Sequence, residues 1–142
     1  MAQVVLTTLT NDSKSADKDN DIGHYSDKEL AYIYLKINDK DNALDHAQIE
    51  YNRRPDNIDV EQTLAWVHYK RGEYKQAYDL ITRATRTHSQ NAVLLYEAGL
   101  IFEKNNKASD GKVLMSKALA IDPYLSPDLL NEGNRKDISF NR

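Results

Sequence analysis

Asp17, Asp19 and Asp21 alternate along the polar run 11–21 in the way calcium-loop ligands do. Such a loop also needs a glycine at its sixth place and a bidentate glutamate at its twelfth. Those places hold Ile22 and Lys28, and Gly23 and Glu29 each arrive one residue late. The run therefore reads as a solvated acidic linker, with no metal. Asp39 and Asp41 fall in a turn, and no nucleophile-elbow, phosphate-loop, dinucleotide-binding or H-E-x-x-H pattern occurs. The expectation is a chain that is not an enzyme and carries no cofactor. What remains is chemistry of contact. Nine tyrosines and one tryptophan offer wide apolar area with a polar tip, the residue types that anchor a partner when they line a surface. Lys36, Lys70 and Lys104 recur at intervals of 34 residues. They either steer an acidic partner or complement helix C-termini, the latter worth only about 0.3–1 kcal/mol each.

The 142 residues suffice for one domain. Twenty-two acidic against nineteen basic residues leave a net charge of −3 and no footprint for a phosphate backbone or an anionic membrane, so nucleic acid and membrane are not expected partners. There are no cysteines, which excludes a disulfide framework, a thiolate metal site and a cysteine nucleophile. No secretory leader or membrane-spanning apolar run is present in the chain as given, and cytoplasm and periplasm are not distinguished. Residues 1–23 read as a flexible polar tail, too poor in apolar surface to offset the entropy of ordering.

Elements that could position the aromatic residues emerge when the sequence is shifted by 34. Leu30-Ala31 then falls on Leu64-Ala65 and Ala98-Gly99, Ala43 on Ala77 and Gly111, and Pro55 on Ser89 and Pro123. Ala31, Ala65 and Gly99, facing Ala43, Ala77 and Gly111, are small where two helices of a hairpin would cross closely. Asn38, Gly72 and Asn106 tolerate positive φ and would end the first helix of each pair. Pro55, Ser89 and Pro123 stand where the second helix must stop, the prolines because they cannot continue it.

Ser26 and Glu29 form a capping box, and Leu30, Ile33, Tyr34 and Ile37 follow on one helical face. The spacing predicts helix pairs over 27–37 and 41–53, 59–71 and 74–87, then 92–104 and 108–121. Ser126-Pro127 opens a last short turn of helix ahead of Gly133, placed to shield the end of a stack.

This pattern resembles the tetratricopeptide repeat (TPR), with copies over 24–57, 58–91 and 92–125 and a capping helix and tail over 126–142. More loosely, residues 54–72 look like C-terminal repeat modules of larger bacterial proteins. The resemblance implies an all-α superhelix of three stacked helix-turn-helix hairpins. It also implies which positions of each first helix face a concave groove: Tyr25, Lys28, Tyr32, Leu35 and Lys36, then Asp59, Gln62, Trp66, Tyr69 and Lys70, then Val93, Tyr96, Leu100, Glu103 and Lys104. The residues expected to contact a partner are Tyr25, Lys28, Tyr32, Lys36, Gln62, Trp66, Tyr69, Lys70, Tyr96, Leu100 and Lys104; the alternative for some of Tyr32, Trp66 and Tyr69, at helical spacing, is packing against the neighbouring helix as core. At the carboxylate-clamp places of chaperone-binding members only Lys28 fits, while Tyr32, Thr63, Val93 and Glu97 do not. A hydrophobic or aromatic segment is therefore the expected ligand rather than a chaperone C-terminus.

In the first copy Glu50 stands where the family has a small apolar residue, and Arg53, Arg54 or His68 is expected to pair with it. His24, His46, His68 and His88 occupy four different places in the repeat and do not converge as ligands must. The functional expectation is a non-catalytic module binding a protein or peptide. The alternative is a structural or self-associating module, a homo-oligomer or the terminal portion of a larger repeat protein, because the ends of repeat arrays are sticky unless polar.

Overall fold

Seven helices account for the described residues, 25–140, of a computed structural model, with side chains described as far as Gly133. They are α1 (Asp27–Lys36), α2 (Lys40–Arg53), α3 (Ile58–Lys70), α4 (Tyr74–Ala84), α5 (Ala92–Lys104), α6 (Ala108–Ile121) and α7 (Pro127–Phe140). No strand occurs among these residues, so the all-α expectation holds. The acidic run 17–21, His24 and the expected tail 1–23 lie outside them. The chain divides at Gly72 into two compact units, so that the two helices of the second repeat fall in different units.

In the first unit α1 starts at the expected capping box. Glu29 N–H donates to Ser26 Oγ at 3.1 Å, and Ser26 N–H donates to Glu29 Oε1 at 3.0 Å. These two bonds satisfy donors that a helix start otherwise leaves open. They also hold the Glu29 carboxyl below its ordinary range, the backbone bond being the larger cause. Asn38 ends α1 at φ 63, Asp39 caps α2, and Asn57 caps α3 through Val60 N–H at 3.1 Å. Leu30, Ala31, Tyr34, Ala43, Ala47, Val60, Leu64, Ala65 and Val67 form the core, with Ala31 and Ala43 wholly buried as the small-residue pattern requires.

The second unit repeats the device more tightly. A Cβ at Gly99 would stand 2.7 Å from Gly111 O, and a Cβ at Gly111 would stand 2.6 Å from Gly99 O. Only hydrogen fits on either side, so α5 and α6 cross with their backbones in contact. Asn105 Nδ2 donates to Ile101 O at 2.8 Å and to Tyr74 O at 3.0 Å, tying the start of α4 to the end of α5. Asn91 caps α5 through Leu94 N–H at 3.1 Å, and Ser126 caps α7 through Leu129 N–H at 3.3 Å.

Two boundaries differ from expectation by more than a residue. Helix α4 stops at Ala84 rather than near 87, where Thr85 Oγ1 donates to the carbonyls of Ile81 and Thr82 and His88 takes φ 56. Histidine is among the residues that visit this region more readily, but its type alone does not announce it. Helix α7 runs for 14 residues rather than one short turn. Gly133 does not stop it. Instead it falls in line with Ala31, Ala65 and Gly99 at steps of 34 residues, which gives α7 the register of a further first helix.

Candidate functional site

Helix α1 carries the most accessible of the expected contact residues. Tyr25, just before the helix, is 40% exposed; Lys28 and Tyr32 are half-buried; Lys36, in the last turn, is exposed. Lys28, Tyr32 and Lys36, at steps of four, share one side of the helix, and Tyr25 stands three residues ahead of Lys28, just outside it. Leu30, Ala31 and Tyr34 are the residues that α1 buries.

An ion-pair network fixes α1 against α2. Asp27, in the first turn of α1 where a negative charge complements the helix dipole, receives His46 Nδ1 at 2.8 Å and Arg53 Nη2 at 2.6 Å. His46 and Arg53 are seven residues apart and so share one side of α2. The His46 ring also stacks on Tyr34, with centroids 5.3 Å apart and planes at 12°. Buried Glu50 is held by Arg54, whose Nε donates to Oε2 at 3.0 Å and whose Nη2 donates to the same oxygen, while Arg53 Nη1 stands 3.6 Å from Oε1. Glu50 is thus the structural ion pair expected of it, with the arginines as partners. His46, read from the sequence as a scattered surface or packing residue, belongs to this network.

Helix α3 differs from α1. Gln62, Trp66 and Tyr69 are each only 7% exposed, and every residue from Val60 to Val67 is buried. Trp66 and Tyr69 stack with centroids 4.7 Å apart and planes at 11°. Lys70 is half-buried. The expectation that these rings line an open surface is corrected: α3 is enclosed around nearly its whole circumference, as befits a helix with apolar residues on all sides.

In the second unit the correction has a visible cause. Tyr96 is 7% exposed and Leu100 is fully buried, because α7 lies on them: Gly133 brings its backbone against the Tyr96 hydroxyl and the Leu100 side chain. Burial, with the Glu103 charge as a second cause, pushes the Tyr96 phenol above its ordinary pKa. Lys104 is exposed and sits 5.3 Å from the centroid of the Tyr74 ring, a cation-π contact, and Lys107 stands 5.7 Å from that of Tyr78. The third lysine of the row is therefore engaged within its own unit.

Sequence reasoning missed Asn57 and Asn91 as caps, although they too are 34 residues apart and each stands just ahead of a first helix. It also missed Asn105 as the tie between α4 and α5, which no local pattern announces. Among the described residues no three His, Asp or Glu side chains gather as metal ligands, and no helix is long and apolar enough to cross a membrane.

No family model matches the chain, and no curated protein does. Solved structures do. YrrB, described as a TPR protein with an unusual peptide-binding site, superposes with a TM-score of 0.62 at 16% identity, over 93% of this chain and 69% of its own. MamA superposes with a TM-score of 0.59 at 18% identity, over 68% of this chain. A double mutant of the RS-1 MamA does so with the same score at 17% identity, over 93% of this chain and 85% of its own. The match to the first MamA structure spans 57% of that protein's length. Repeated helix pairs, small crossing residues and positive-φ turns at a common interval give this chain the fold of the tetratricopeptide-repeat proteins.

Proposed function

We propose that the chain is a non-catalytic protein-interaction module that holds a polypeptide segment of a partner against its first helices. The observation that carries this reading is the surface formed by Tyr25 and by Lys28, Tyr32 and Lys36 of α1, an aromatic pair interleaved with two cations. Tyrosine gives contact area for little loss of rotamer freedom, and lysine raises the encounter rate with an acidic segment. Lys70, half-buried on α3, extends the set in the same unit. Gln62, Trp66 and Tyr69, buried on α3 of the same unit, act as support. The likeness of fold to YrrB, described by its peptide-binding site, is consistent with this use.

The test is a peptide-display selection on the intact chain, followed by titration of the selected peptides into wild type and into Tyr25→Ala/Tyr32→Ala. The double variant is expected to keep its helicity and to lose about tenfold or more in affinity. Equal affinity for both chains would reject the α1 surface.

A self-association reading is favoured by a separate observation. Helix α6 fully buries only Gly111 and Ala118, while Val113 on its opposite side is 62% exposed, Leu119 and Ile121 are exposed at its flanks, and Tyr124 beyond it is 89% exposed. Sedimentation of wild type and Val113→Glu across concentration tests it: a concentration-dependent mass that the variant abolishes supports it, and a monomer throughout removes it.

A further inference from the structure

Helix α7 sits on α5 through a contact that admits no side chain. A Cβ carried at residue 133 would stand 2.8 Å from Tyr96 Oη and 3.7 Å from Leu100 Cδ2, the first well inside van der Waals contact. Tyr96 and Leu100, four residues apart on α5, both stand against Gly133 of α7. Leu129 is buried, as is Leu125 just ahead of the helix, whereas Pro127, Asp128 and Asn131 are exposed. The anchoring part of α7 is thus Leu125, Leu129 and Gly133.

We infer that the Tyr96–Leu100 ridge is a helix seat, held by α7 in the resting chain, whose external ligand is an amphipathic helix with leucine followed four residues later by glycine. This rests on the interaction-module reading and names the partner class for its α5 portion. The in-chain occupant shows the chemistry that fits. The leucine supplies apolar area, and the glycine lets the backbone reach the Tyr96 hydroxyl. The same glycine makes α7 a weak helix by itself, since glycine inside a helix costs about 1 kcal/mol relative to alanine. A helix held by its seat rather than by its own propensity is one that a competitor of the same pattern can replace.

The experiment uses the full chain and a fluorescein-labelled synthetic peptide of residues 124–140 as the probe. Substituting Gly133→Leu in the chain places a side chain where the Tyr96 hydroxyl stands and lifts α7 from the seat. The Tyr96 ring, assigned by Tyr96→Phe in ¹³C-tyrosine spectra, is then expected to titrate nearer the ordinary phenol range. The labelled wild-type peptide is expected to bind this variant about tenfold or more tighter than it binds wild type, because the in-chain competitor is gone. The Gly133→Leu version of the peptide is expected to bind neither chain. Leu129→Asn, which removes the apolar anchor without adding bulk, is the second variant and is expected to free Tyr96 and admit the peptide in the same way. The inference is overturned if Tyr96 titrates freely in either variant and the peptide does not bind, if the two peptides bind equally, or if both variants leave Tyr96 unchanged. Display-selected peptides that still bind through Tyr25 and Tyr32 while the α7 peptide fails would overturn this inference alone. Failure of both would remove the interaction-module reading beneath it.

Discussion

Helices α1 and α5 hold equivalent places in the repeat, yet they meet their surroundings differently. Helix α1 buries Leu30, Ala31 and Tyr34 and keeps Tyr25 and Lys36 at the surface. Helix α5 buries every residue from Leu94 to Ile101, because α4, α6 and α7 all pack on it. Lys28 and Tyr32 are half-buried on α1, whereas Tyr96 and Leu100, which stand 68 residues on at the same register positions, are core on α5. Position within the repeat says where a residue sits on its helix, and the neighbouring helices decide what it touches.

Substitutions of like residues on the two helices separate the two cases. The largest effect is expected at Tyr96, where truncation to alanine removes a buried ring and costs about 3 kcal/mol or more, read by urea unfolding. Tyr32→Ala, on the exposed side of α1, should cost under about 1 kcal/mol, and equal losses at both would erase the distinction. Next come the helix crossings. Gly99→Ala drives a Cβ against Gly111 O and the Met115 side chain and should cost about 1–3 kcal/mol, whereas Ala31→Gly in the first unit should cost only about 1 kcal/mol, mostly helix propensity.

The ion pair at Glu50 belongs to the first unit alone. Arg54→Ala leaves the buried carboxylate with the looser Arg53 contact and should cost about 1–2 kcal/mol, reduced from the fully buried case because Arg54 is itself half open to water. Glu50→Leu should cost less than Arg54→Ala, because the freed arginines can reach solvent. A reversed order in thermal unfolding would show that the pair stabilises the fold rather than merely tolerating its own burial.

The smallest effect concerns the start of α1. Ser26→Ala removes a cap worth about 1 kcal/mol. Because Glu29 is held below its ordinary range in the folded chain, its contribution is full above that range and is lost as pH falls through the lower folded value. Stability of wild type should therefore decline more steeply in acid than that of Glu29→Gln, which does not titrate. Parallel pH profiles would contradict the reciprocal cap.

Much of the architecture could be read from residue spacing, because the markers act locally. Asn38, Gly72 and Asn106 all take positive φ where the 34-residue interval puts them, and Ser26 and Ser126 cap as their neighbours require. The length of α7 escaped because Gly133 was read as a stop, when it is a point of close approach seen only with α5 beside it. Spacing left Trp66 and Tyr69 between groove and core and did not announce the burial of Tyr96, because periodicity reports the faces of one helix and enclosure depends on how many others surround it. His88 and Asn105 act through a backbone conformation and a tertiary hydrogen bond that residue type does not specify.

The surface proposed to receive the partner is formed by Tyr25 and by Lys28, Tyr32 and Lys36 of α1. Amide chemical-shift mapping of a display-selected peptide on the intact ¹⁵N-labelled chain tests it most directly. The account predicts the largest perturbations at residues 25–36, with their loss in Tyr25→Ala/Tyr32→Ala. Perturbations confined to residues 108–124, with 25–36 unmoved, would contradict it.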